Sequence, residues 1–94
     1  MRFDAGTTDV PSAGTRVQIS NTTHKIRKIS VQARDGNAGK VYFGVSDVSA
    51  SNGWELAAGE IKDLDFEEGS VPFSEFWVGA ATNGDDMDWA VIIR

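Results

Sequence analysis

The sequence of 94 residues contains no cysteine, which excludes a disulfide and a thiolate metal site. Small secreted domains often carry such staples, and their absence points to folding in a reducing cytoplasm. No apolar run approaches the ~20 residues that span a bilayer, and no basic-then-apolar leader opens the chain, so no membrane partner is expected. Asn21-Thr22-Thr23 matches a glycosylation sequon and reads, without a leader, as a turn. Histidine occurs once, as His24 in the polar stretch "NTTHK", where it reads as a solvated turn residue. A nucleophilic triad would need a serine paired with it, and no strand-turn-helix context supplies one. Neither the P-loop nor the dinucleotide fingerprint is present.

Basic residues are scarce in the second half. The net charge is −5, and phosphate neutralisation needs clustered Lys and Arg, so a nucleic-acid partner is not expected. Residues 1–46 carry seven basic side chains against three acids, and residues 47–94 carry two against eleven. Two readings follow: complementary faces that help copies or a partner to dock, or strands of both halves interleaved so that the charges mix.

What is present is strand pattern. The first fourteen residues mix Gly, Thr, Asp and Pro, with Phe3 and Val10 as the only sizeable apolar anchors, and read as a flexible arm at 1–14 before a domain at 15–94. "TRVQIS" alternates, with Val17 and Ile19 on one face. "IRKISVQA" turns Ile29, Val31 and Ala33 inward, and "KVYFGVS" does the same with Val41, Phe43 and Val45. "RDGNAGK" between them supplies Asp35-Gly36 and Gly39, so residues 28–45 read as one β-hairpin. The polar break "SDVSASNG" reads as a chain reversal, with Trp54 as a second possibility for a rim contact. "AAGE" and "EEGSVP" are further turns, and "FSEFWVGAA" and "MDWAVII" form a last strand pair. Seven or eight short antiparallel strands make a single all-β sandwich of jelly-roll type.

In that last pair, Phe76 and Val78 alternate with Trp77, and Trp89 with Ile92, so both faces are apolar. One face fills a core. The other is expected at an interface between copies, formed by Phe76, Trp77, Val78, Trp89 and Ile92, or under intramolecular cover. Carboxylates are plentiful, but Asp63, Asp65, Glu67 and Glu68 read as a solvated edge. "NGDDMD", with Asn83, Asp85, Asp86 and Asp88, fails the EF-hand spacing. Tyr42, Trp54, Trp77 and Trp89 offer possible stacking faces for sugar rings. No cofactor or metal is expected, and the chemistry points to a structural or binding protein and not an enzyme.

The run "GKVYFGVSDVSASNGWELAAGE", followed by "FWVGAATNGDDMDWAVII", resembles small β-rich virion proteins of tailed bacteriophages. The matching residues are Gly39, Val41, Tyr42, Gly44, Val48, Gly53, Leu56, Gly59 and Glu60, with the last pair from Phe76 to Ile93. The resemblance implies a jelly-roll virion component that is made in the host cytoplasm and incorporated into the particle. Because the chain stops after its last strand with no fibre domain, the role implied is capsid decoration (cement). Such a protein binds the assembled major capsid protein at the capsid surface, preferably as a homotrimer, and stabilises the head by linkage. The arm, through Phe3 and Val10, together with Trp54, would meet the capsid. The alternatives are a tail, baseplate or fibre-associated virion protein of the same fold, and a carbohydrate-binding module using Trp54.

Overall fold

The computed structural model describes residues 2–49, 51–66 and 71–93, with Arg2 placed by its backbone alone. The turn expected at 67–70 lies outside these residues. The strands are β1 (Arg2–Val10), β2 (Val17–Gln18), β3 (Lys25–Ala33), β4 (Val41–Gly44), β5 (Trp54–Leu56), β6 (Ile61–Asp65), β7 (Val71–Pro72), β8 (Trp77–Ala80) and β9 (Asp85–Ile93). A 3-10 turn, Phe73–Glu75, joins β7 to β8.

All pairings are antiparallel, and they form two sheets. Sheet A has the order β1-β9-β3-β6, with β7 also on β3, and sheet B has the order β2-β8-β4-β5. First pairs with last, second with second-last, the third with both β7 and β6, and β4 with β5. The chain is thus a two-stranded ribbon wound so that its turns also meet as β9 with β3 and β8 with β4. This is the jelly-roll, or double-stranded β-helix, and the all-β sandwich expected from the alternation of apolar residues is what forms.

The core lies between the sheets. Val10, Ile29, Val31, Ala33, Met87, Val91 and Ile93 enter it from sheet A, and Ile19, Val41, Phe43, Leu56, Phe76, Val78 and Ala80 from sheet B, all buried. Ile26 and Ile29 are both 0% exposed although three residues apart, a spacing that would put them on opposite faces of a regular strand. A bulge resolves this: the register shifts between Ile26 and Lys28 against β9, so Arg27 is an extra residue and the parity is reset.

Three expectations are corrected by this winding. Residues 2–10 are not a loose arm; they form β1, paired residue for residue with Asp85–Ile93, with Thr8 and Val10 buried. Period-two pattern in "DAGTTDV" is masked by Gly6 and by polar residues on a face that meets water. The segment 28–45 is not a hairpin, because β3 lies in sheet A and β4 in sheet B, and the connection 34–40 crosses between sheets. Likewise β8 and β9 face each other across the core and do not pair. Alternation reports which face a residue takes and says nothing of which strand it bonds to. Val45, expected inside, is exposed at the end of β4.

The crossing at 34–40 is held by β9. Asp85, 5% exposed, accepts the amides of Ala38 on Oδ1 at 3.0 Å and Gly39 on Oδ2 at 2.9 Å. Asn37 donates Nδ2 to the Asp86 carbonyl at 2.8 Å and accepts the Asp86 amide at 3.0 Å. Charge-assisted bonds to a buried carboxylate are among the stronger ones, and their loss leaves two amides unpaired.

Two outcomes are expected. Asp85→Ala should lower unfolding free energy in urea by about 2–3 kcal/mol; an unchanged midpoint would show that the crossing does not depend on this carboxylate. Deleting residues 1–9 should strip β9 of a partner and destabilise by on the order of 3 kcal/mol or more, measured as a drop in Tm. A truncated protein with the parent Tm would restore the loose-arm reading.

Candidate binding surfaces

Sheet A turns a second face to solvent, and register decides what shares it. Phe3 stands opposite Ile92 and Ala5 opposite Ala90, so the β1–β9 pair carries an apolar end. Further along, the pairs Thr7 with Asp88 and Asp9 with Asp86 make the other end polar. Thr7 donates its hydroxyl to Asp88 at 2.6 Å, and Arg34 reaches the same carboxylate at 3.4 Å. Phe3 is 69% exposed, the highest value among the large apolar side chains of the described residues. Two residues named from sequence for different roles, Phe3 for a capsid contact and Ile92 for a subunit contact, are therefore cross-strand neighbours.

A second surface is the opening between the free edges of the sandwich, where β5 of sheet B faces β6 of sheet A. Trp54, at the start of β5, pairs with Phe43 on β4, and their rings stack with centroids 6.3 Å apart. Phe43 stacks on Phe76 at 5.6 Å, and Phe76 meets Phe66 at 5.8 Å. This aromatic row floors a groove of about 530 Å³, walled by Leu64, Val71 and Pro72, with Glu75 at its rim. Lys62 of β6 holds its ammonium 4.6 Å from the Trp54 ring centroid, tying the two free edges together by cation–π attraction.

The polar break between β4 and β5 is the tip of the wound ribbon and reverses the chain as expected. Ser49 and Asn52 exchange backbone bonds of 2.9 and 3.1 Å. Gly53 takes φ +130, and a Cβ there would come within 2.7 Å of Val48 Cγ2 and 2.9 Å of the Phe43 carbonyl oxygen, so glycine is required.

The five residues expected at one subunit interface are dispersed. Phe76 and Val78 are core residues, 5% and 0% exposed, and are not available to a second copy. Trp89 faces inward and meets Phe73 edge-on at 5.0 Å, with its indole against Gly6, where a Cβ would come within 2.7 Å. Trp77 and Ile92 lie on the outer faces of opposite sheets, since β8 and β9 are in different layers. Among the expected capsid contacts, Val10 is wholly buried, while Phe3 and Trp54 are exposed. Sequence reasoning missed Phe43, Phe66 and Lys62 as Trp54's companions; they come from β4, from the residue just after β6 and from β6, with no shared motif. His24 is exposed and lends its backbone carbonyl to the Phe73 amide at 3.0 Å. Asp85 turns inward, while Asp86 and Asp88 lie on the outer face, and among the described residues no group of His, Asp and Glu gathers to hold a metal ion.

No family model matches the sequence, and no curated protein matches it. Solved structures do. A segment of the IMPa metallopeptidase from Pseudomonas aeruginosa matches with TM-score 0.58 at 15% identity, covering 98% of this chain and 12% of that one. A de novo designed double-stranded β-helix matches with TM-score 0.53 at 11% identity, each chain covered in full. The SPBc2 prophage-derived protein YomS matches with TM-score 0.51 at 13% identity, covering all of this chain and 96% of that one. At these identities the likeness is one of fold. It corrects the expectation that a chain of this pattern stands apart from enzymes: the same architecture recurs within a metallopeptidase, of whose length this chain spans 12%.

Replacing Trp54 by alanine should cost about 1–2 kcal/mol, the sum of an edge stacking pair and a partly exposed cation–π contact. Phe43→Ala should cost about 3–5 kcal/mol, because that ring is fully buried. Urea unfolding distinguishes them; equal costs would place Trp54 in the core and remove it from the rim of the groove.

Proposed function

We propose that the protein is a virion structural protein of phage type, and that it acts as a decoration protein on an assembled capsid shell. The observation that carries this reading is the correspondence with the prophage-derived YomS, which is matched over nearly its whole length and not as a segment. The resemblance of "GKVYFGVSDVSASNGWELAAGE" to small phage virion proteins, drawn from sequence, agrees with it.

The geometry supplies a docking surface suited to such a role. The apolar end of the outer face of sheet A, with Phe3, Ala5, Ala90 and Ile92, lies on the long edge strand β1. A strand edge offers unpaired backbone groups along its length, and an exposed phenylalanine beside it adds an anchor. The partner is the major capsid protein, and binding only its assembled form stabilises the shell by mass action. With net charge −5 the free subunit repels its own copies and the genome alike, so it accumulates unassembled. Three copies around a local threefold axis would close symmetrically, with the β1 edge facing the shell or a neighbour.

Tagged protein mixed with heads purified from the phage that encodes it should sediment with them, and not with free capsid subunits. Phe3→Glu should weaken co-sedimentation by tenfold or more, roughly 1.4 kcal/mol, at unchanged Tm. Protein recovered only with tails would move the role to the tail or baseplate, and protein left at the top of the gradient with every particle would overturn the virion reading.

A further inference from the structure

The outer face of sheet B is built differently from that of sheet A. On β4 and β8 the outward positions alternate aromatic with glycine: the register sets Tyr42 opposite Gly79 and Trp77 opposite Gly44. Each ring therefore faces a residue without a side chain. A Cβ on Gly79 would stand 3.8 Å from Tyr42 Cδ2, which places the phenol ring against that glycine. Val48, from the ribbon tip, fills the space over Gly44, where a Cβ would meet its Cγ2 at 3.0 Å. What remains open is a pit of about 270 Å³, lined by Tyr42, Gly79, Ala81, Gly14, Ser49 and Arg16.

Two of the three polar side chains lining this pit, Arg16 and Tyr42, have no hydrogen-bond partner among the described residues. The third, Ser49, is bonded through its hydroxyl to Ser51 at 3.3 Å. Arg16 is the one charged residue among those lining it, and its guanidinium lies 5.9 Å from the Trp77 ring centroid. Among the described residues, neither Arg16 nor the Tyr42 hydroxyl nor the Trp77 indole nitrogen makes a side-chain hydrogen bond or an ion pair. Glu55, which pairs with Tyr42 on the other side, is occupied by Lys40 at 3.3 Å and does not line the pit.

We propose that this pit binds a saccharide unit carrying a carboxylate, of the uronic or sialic acid class. The aromatic wall of Tyr42 offers a face for the C–H surface of a pyranose ring. Gly14, Gly79 and Ala81 leave room for the ring to lie close to the sheet. Arg16 presents a planar fork that matches a carboxylate in two-point contact. The Tyr42 hydroxyl, without a partner among the described residues, is free to bond the sugar's own hydroxyls, and Ser49, whose hydroxyl is shared with Ser51, borders the same pit. A phosphate fits this chemistry less well, since a single guanidinium with no second cation or amide nest would face a nearly doubly charged group. Binding is a property of the isolated protein, so the inference stands or falls separately from the virion reading.

The test is an NMR titration of the purified protein with the methyl glycoside of galacturonic acid (carboxylate free), N-acetylneuraminic acid, methyl galactoside and sodium acetate. The acidic sugars should shift the amides of Gly14, Ser49, Gly79 and Ala81, and bind roughly tenfold or more tightly than the neutral galactoside. Arg16→Gln should abolish that preference, and Tyr42→Ala should remove binding of both sugars, each at unchanged Tm. Trp54→Ala, whose ring borders the groove at the free edges, should bind as the parent does. The proposal is overturned if no sugar shifts these amides, if acetate reproduces the pattern of the sugars, or if Arg16→Gln keeps the preference for the acidic ones.

Discussion

The pairing of β1 with β9 is the constraint on which the remaining architecture depends. It joins residues 2–10 to residues 85–93, the most distant segments of the described chain. Closing so long a loop costs only slightly more entropy than closing a short one, because the cost grows with the logarithm of length. In return, β9 gains a partner on each side, β1 and β3, and becomes an interior strand with all its inward residues except Trp89 buried. Once β9 is fixed, Asp85 at its start holds the crossing from β3 to β4, and that crossing sets sheet B over sheet A.

The same winding explains how much could be read from the chain. Facing was legible in the middle of the chain, where Ile29, Val31, Ala33, Val41 and Phe43 take the inward positions their alternation assigns. It was not legible in the last strand pair, where Phe76 and Val78, expected at an interface, are core. Partnership was not legible. A short polar connection such as 34–40 looks the same whether it returns a strand to its neighbour or carries it across to the opposite sheet. The β1 strand escaped notice because an edge strand needs only one apolar face, and here Gly6 replaces a side chain where the Trp89 indole lies. Its exposed Phe3 was visible as an isolated anchor, but its companionship with Ile92 required the register.

Charge shows the distinction in another way. The sequence left open whether its basic first half and acidic second half make two faces or interleave. Strand order answers for sheet A, where β3 from the first half lies between β6 and β9 from the second: Lys28 pairs with Asp65, and Ser30 with Asp63, which accepts its hydroxyl. Opposite charges directly across a strand pair each add a fraction of a kcal/mol. The segregation along the chain thus becomes intermixing of the two halves' charges in the sheet, and of the basic side chains Arg34 and Lys40 hold ion pairs, with Asp88 and Glu55.

The order of pairing also has a consequence for biosynthesis. A ribosome releases β1 first and β9 last, so the strand that begins sheet A must wait for the strand that completes it. Until then the inner pairs have their partners in hand, β4 with β5 around the tip, β3 with β6 and β7, and β2 and β4 with β8, but β1 has none. The fold therefore cannot assemble progressively from its N-terminus, as sequential domains do during translation. Sheet A is completed only when β9 is available to β1, so the earliest-made of these strands waits for the latest.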